Sequence, residues 1–218
     1  MNFGLPDSTL FDRRVPKQKF YENLPITAAL KRSFVDEIVS IRWRNKLAAT
    51  MLNLAKGAAV TEVEVFEIEL TGERLNEDVL RQMDSLIPYH LLFMLSNAGR
   101  AQAWIGYKEA TAMGEKAFKV SRYYHTDWMP RESLRLTLAG LNMDAVYENL
   151  VRQIAGDTLQ ADSGESLKES VARDEVKERL EKQIATIESK MRKEKQLNRR
   201  MEMNAELKRI KSLVQQLQ

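Results

Sequence analysis

From Leu167 to Gln218 the chain contains neither glycine nor proline. Those two residues are the usual punctuation between elements, so a long stretch without them is held to helix more tightly than any other part of the sequence. Leu180, Ile184, Ile187 and Met191 recur at alternating steps of four and three, which is the seam spacing of a coiled coil. Met203, Leu207, Ile210, Val214 and Leu217 follow the same rule, but the two runs do not share one register across Glu194 to Arg200. The segment is either a phase-broken helix that pairs with another chain or a helical hairpin. The hairpin is favoured, because it buries both stripes without a second chain.

The remainder of the chain has the patterning of a packed domain. Residues 1–26 hold three of the five prolines, Pro6, Pro16 and Pro25, and read as an irregular arm anchored by Phe3, Phe11, Phe20 and Tyr21. Thr27 is placed to cap a helix over Ala28 to Ile38 with Leu30, Phe34, Val35 and Ile38 on its inner face. The period then shortens to two. Val39, Ile41 and Trp43 alternate with Ser40, Arg42 and Arg44, and Thr61 to Leu70 alternates apolar residues with Glu62, Glu64, Glu67 and Glu69, broken at Phe66. Asn76 caps a helix with Val79, Leu80, Met83 and Leu86 as its stripe. Leu91 to Leu95 reads as a buried strand, Asn97-Ala98-Gly99 as a hairpin turn, and Ala101 to Lys108 as the returning strand. Short strands are predicted at Phe118 to Tyr124 and Ser133 to Leu138, and a final helix from the Asn142 cap to Ile154. The predicted class is α/β (α+β): a mixed β-sheet flanked by helices over 27–155, a small polar linker over 156–166, and a basic helical hairpin or coiled coil over 167–218.

Several function classes are excluded or disfavoured. With no cysteine among 218 residues there is no disulfide framework, thiol nucleophile, zinc-thiolate site or iron-sulfur cluster, and a reducing cytoplasm suits the chain. No apolar run approaches the roughly 18 residues a membrane helix needs, so a soluble protein with no membrane partner is expected. GxxxxGK[ST], GxGxxG and GxSxG are absent, as is any metal-spaced histidine pair. No catalytic residue, metal ligand or cofactor is therefore assigned. His90 is expected to pack at the start of a buried strand, and His125 to lie at the surface with Asp127 able to orient it.

Charge supplies the binding candidates. The 30% charged fraction exceeds the typical quarter or so, and its densest cationic cluster is Lys190, Arg192, Lys193, Lys195, Arg199 and Arg200, with Glu194 the one acid among them. Such a density can neutralise phosphates, with an affinity that falls steeply as salt rises. Arg42 and Arg44, beside Trp43, are the second candidate pair; Arg13, Arg14, Lys17, Lys19, Lys31 and Arg32 with Phe20 and Tyr21 extend it, since guanidinium and aromatic groups together can hold backbone and stack bases. The glutamate strand offers an alternative. The order helix, strand, strand, helix, strand is that of PD-(D/E)xK nucleases, whose carboxylates hold Mg²⁺ while a lysine orients the attacking water. Here Glu67 is followed by Glu69 instead of lysine, and the preceding strand has Arg and Asn where an Asp is required.

Phe20-Tyr21, Phe34-Val35-Asp36, Val65-Phe66-Glu67-Ile68, Leu80 to Asp84, Ile87-Pro88-Tyr89, Tyr107-Lys108 and Tyr147-Glu148-Asn149 resemble the family of domain of unknown function 4391. The tail string Lys193 to Arg199 and Asn204 to Leu207 resemble it too. The resemblance implies no activity or catalytic residues. It implies a setting beside helicases and DNA methyltransferases of restriction-like or phage-defence systems. The expectation is a non-catalytic accessory subunit that binds a large protein partner, a helicase or methyltransferase, and DNA, with homo-oligomerisation through the C-terminal helices as a blander option and a PD-(D/E)xK-like nuclease, active or degenerate, as the alternative.

Overall fold

The computed structural model describes residues 3–22, 24–110, 118–159 and 164–217. Two compact units emerge, Met1–Gly156 and Asp157–Gln218.

The first unit is built on a seven-stranded, mostly antiparallel sheet. Strands β1 (Leu10–Val15), β2 (Ile38–Ala48), β3 (Glu62–Leu70), β4 (His90–Asn97), β5 (Arg100–Ala110) and β6 (Phe118–His125) lie side by side in chain order, and the short β7 (Met129–Pro130) pairs with β5. Among the strands of the described residues, only β3 and β4 pair in parallel. That pair needs a crossover, which α3 (Glu77–Leu86) provides. α1 (Ala28–Asp36) precedes β2, the single-turn α2 (Ala49–Leu52) follows it, and α4 (Met143–Ala155) closes the unit.

Strand parity sorts the core into two layers. Phe66, Ile68, Leu70, Leu91, Phe93 and Leu95 face α1 and α3, where they pack with Phe34, Val79, Leu80 and Met83. The opposite parity of β4, beginning with His90, faces α4, and the His90 ring meets Tyr147 edge-on at 4.4 Å between centroids. The caps form where the sequence places them. Thr27 accepts from Leu30 N–H at 3.1 Å, Asn76 from Asp78 at 3.0 Å and Asn142 from Ala145 at 2.9 Å. One carboxylate also ties α4 to a loop: Asp144 accepts from the N–H groups of Ala58, Ala59 and Val60. Burial acts to raise this carboxyl, but the three donors together hold it below the usual aspartate range.

Four local expectations are corrected. The arm is not irregular throughout, since Leu10–Val15 forms the edge strand β1, although Phe3, Phe20 and Tyr21 are buried anchors as expected. The predicted strand over Ser133 to Leu138 is absent; Leu134 and Leu136 are buried, but the backbone there bonds singly to the Phe3 carbonyl instead of joining the sheet. Val35, Val39 and Leu86, all assigned inward, are 47%, 50% and 41% exposed. α1 stops at Asp36, and a bulge between Ile38 and Ser40 resets the facing of β2.

The second unit is a helical hairpin. α5 (Leu167–Lys193) and α6 (Leu197–Gln216) pack antiparallel, with Leu207 and Ile210 buried and Leu180, Ile184, Ile187 and Met191 half-buried. The break falls at Glu194–Gln196, inside the segment where the two apolar registers part. Cross-hairpin contacts fix the pairing: Lys211 to Glu188 at 2.9 Å, and Arg173 to the Leu217 carbonyl at 3.1 Å. Of the linker expected over 156–166, residues 160–163 lie outside the described residues, and Gly156–Leu159 is a short 3-10 helix. Among the described residues no helix is long and apolar enough to cross a membrane.

Candidate nucleic-acid interface

The hairpin gathers the six predicted cations at one end. Ser166 opens α5 with a capping box, its hydroxyl accepting from Glu169 N–H at 3.3 Å while the Glu169 carboxylate accepts from Ser166 N–H at 2.9 Å. Lys190, Arg192 and Lys193 occupy the last turn of this helix, where the carbonyl end of the macrodipole favours positive charge. Lys195 sits in the turn, which Glu194 folds by accepting from Gln196 N–H at 2.8 Å. Arg199 and Arg200 then fall in the first turn of α6, the end where the dipole disfavours cations, and that turn holds neither an acidic residue nor a side-chain cap. An anion at this end would relieve both the open N–H groups and the crowded guanidinium groups.

All six side chains are exposed. Arg199 approaches Glu194 at 3.9 Å; among the described residues no salt bridge engages Lys190, Arg192, Lys193, Lys195 or Arg200. Leu197 and Met201, 70% and 64% exposed, add an apolar component to the same tip.

Arg42 and Arg44 are placed differently. Asp12, carried at the bulge of β1, accepts from Arg42 Nε at 3.0 Å and from Arg44 Nη1 at 2.8 Å, and the Arg42 bond leads the effects that hold the Asp12 carboxyl below its ordinary range. Glu67 lies 3.7 Å from Arg44 and accepts from Arg131 at 2.5 Å. Of these, Arg42, Glu67 and Arg131 border a cleft of about 300 Å³ with Ser40, Glu69 and Arg100. Its arginines are already matched by carboxylates, so little positive potential is left over for a phosphate.

The glutamates of β3 do not converge. Positions 62 and 64 share one face of the strand and 67 and 69 the other, with Phe66 marking the change of parity. Glu62 pairs with Lys46 at 2.8 Å, Glu69 accepts from Ser40, and Glu67 is held by the arginines. Among the described residues no group of three or more acids or histidines is arranged to hold a metal. Asp127 does not orient His125: Nδ1 of that ring lies 3.0 Å from the Thr126 carbonyl, and the ring stacks on Trp104 at 4.3 Å.

Sequence reasoning missed a buried ion pair. Lys108 Nζ and Asp84 Oδ1 lie 2.7 Å apart with almost no exposure, Tyr123 donates its hydroxyl proton to Asp84, and Lys108 also donates to the Tyr89 carbonyl. Burial pushes the Asp84 carboxyl up, and the Lys108 ammonium is the main opposing influence. Tyr147 joins from the far side of β5, donating to the Gly106 carbonyl at 2.6 Å and accepting from Lys108 N–H at 3.2 Å. The segments Leu80 to Asp84, Ile87 to Tyr89, Tyr107-Lys108 and Tyr147 to Asn149, far apart in sequence, thus meet around one network. Their only advance signal was a lysine inside an otherwise apolar alternation.

A family profile described as Domain of unknown function (DUF4391) matches residues 3–213. No curated protein and no solved structure matches the chain.

Proposed function

The chain belongs to the DUF4391 family, and on that premise we propose that it is a non-catalytic accessory subunit of a DNA-directed complex, with the hairpin tip as its contact to nucleic acid. The observation that supports this is the convergence of Lys190, Arg192, Lys193, Lys195, Arg199 and Arg200 on one exposed end, with Glu194 the one acid between them in sequence. Flexible cations at a helix turn suit phosphate backbone without sequence readout. The partner is a large protein of the helicase or methyltransferase kind, in a restriction-like or phage-defence setting that the family resemblance implies. A chain without cysteine suits the reducing cytoplasm in which such a complex operates.

The test is duplex-DNA binding by fluorescence anisotropy across 50–200 mM salt, comparing the wild-type chain with one in which all six cations are replaced by glutamine. The slope of log affinity against log salt is expected to flatten by about 0.9 for each phosphate that the variant no longer neutralises. An unchanged slope and affinity would remove the tip from any role on DNA. A pull-down with the chain truncated after Gly164 separates the protein partner: retention of every partner assigns docking to the sheet unit, and its disappearance assigns docking to the hairpin.

A further inference from the structure

The first unit also holds a pocket whose lining shares no residue with that of the arginine cleft. It lies between the end of β1, the arm and the end of α3, measures about 470 Å³, and is walled largely by Phe20, Leu24, Trp43, Phe66, Ile87 and Tyr89. A cavity of that size with apolar walls and one convergent polar group has the usual features of a small-molecule site. The polar group is Glu64, 1% exposed. Its Oε2 accepts from Trp43 Nε1 at 2.6 Å, but Oε1 is buried with no hydrogen-bond partner.

Charge around Glu64 is not fully balanced. Two carboxylates, Glu62 and Glu64, share one lysine. Lys46 commits to Glu62 at 2.8 Å and stands 3.9 Å from Glu64 Oε1, beyond hydrogen-bonding distance. Lys19 and Glu22, both exposed, add one charge of each sign to the lining. The wall already accepts an ammonium group, since Lys46 Nζ lies 6.0 Å from the centre of the Tyr89 ring. Aromatic faces and a carboxylate short of a counter-ion are the two elements that hold organic cations.

We propose that this pocket binds a small organic ammonium ion with an apolar body, its charged nitrogen on Glu64 Oε1 and its hydrocarbon against Trp43, Phe66 and Tyr89. Burial, reinforced by the charge of Glu62, pushes the Glu64 carboxyl up to about 8 in the free protein. The acid therefore carries a proton at neutral pH, and a bound ammonium displaces it. The pocket shares no residue with the hairpin tip, so either role can fail alone.

Calorimetric titration of the full chain at pH 7 with hexylammonium, hexanol and hexanoate distinguishes the outcomes, and repeating it in two buffers of different ionisation enthalpy counts protons. Hexylammonium is expected to bind at least tenfold more tightly than the other two and to release close to one proton per site, with a shift of the Trp43 indole N–H resonance identified through Trp43→Phe. Glu64→Gln, isosteric with the neutral acid and checked for folding by its melting curve, is expected to lose that preference and the proton release. Equal binding of all three probes, no binding of hexylammonium at millimolar concentration, or undiminished binding and proton release in Glu64→Gln would each overturn the site.

Discussion

Arg42 and Arg44 on β2 and the six cations at the α5–α6 turn use the same side-chain chemistry to opposite effect. On the sheet, each guanidinium meets a carboxylate delivered by a neighbouring strand: Asp12 from β1 and Glu67 from β3. At the turn, one glutamate stands among six cations, and a helix start without a cap adds further positive character. The difference shows that cation density along a chain says little about recognition until the fold has assigned its acids. Antiparallel pairing brings distant acids opposite bases, whereas a hairpin tip extends past its own partners.

The same contrast governs energetics, and the largest expected effect tests the fully buried limit of pairing. Asp84→Asn or Lys108→Met leaves one charge uncompensated inside the first unit and is expected to cost about 3–5 kcal/mol, while the double change Asp84→Leu with Lys108→Met recovers most of that. Urea unfolding reads both; equal losses in single and double variants would show that volume, and not charge, sets the cost.

A smaller effect concerns the half-matched acid. Glu64 titrates near 8 in the folded chain against 4.5 for the free group, so the unfolded state gives up its proton first. Stability from this residue is complete below about pH 4.5 and is lost as pH rises through about 8, with a slope of up to about 1.4 kcal/mol per pH unit. Glu64→Gln is expected to remove that decline, so its melting temperature gains on the wild type between pH 5 and pH 8.5. A constant gap would mean that Lys46 already neutralises the acid.

The smallest effect sharpens the comparison directly. Asp12→Asn releases Arg42 and Arg44 from their shared carboxylate. If pairing is what silences them, DNA binding by the variant gains a salt slope steeper by about 0.9 for each guanidinium that takes a phosphate. An unchanged slope would show that placement on the sheet excludes DNA regardless of pairing.

Much of this architecture is legible in the chain itself. Thr27, Asn76 and Asn142 signal three helix starts because a cap is a local device, and β3 shows itself through alternation of glutamate with apolar residues. The hairpin is legible for the same reason: seven-residue periodicity and a broken register are properties of short windows. What escapes depends on long-range pairing. Leu10–Val15 has the charged composition of an edge strand and becomes one only because β2 offers its free side. Leu134 and Leu136 alternate like a strand, yet the backbone there meets the Phe3 carbonyl and the Gln153 side chain instead of a ladder. The paired state of Arg42 and Arg44 needs Asp12 from thirty or so residues upstream, so the cations of the candidate site and the hairpin that carries six of them can be read from the chain, but not which cations the fold has already matched.

The length of the hairpin sets its footprint. At about 1.5 Å per residue, α5 runs some 40 Å, the span of about twelve base pairs, yet its densest group of cations, Lys190, Arg192 and Lys193, occupies its last turn. On the proposed reading such a probe would touch a handful of phosphates and dissociate readily when it acts by itself. Residence on a duplex would then come from avidity: a companion that held the chain nearby would raise the effective concentration of the tip and turn a brief encounter into a lasting one.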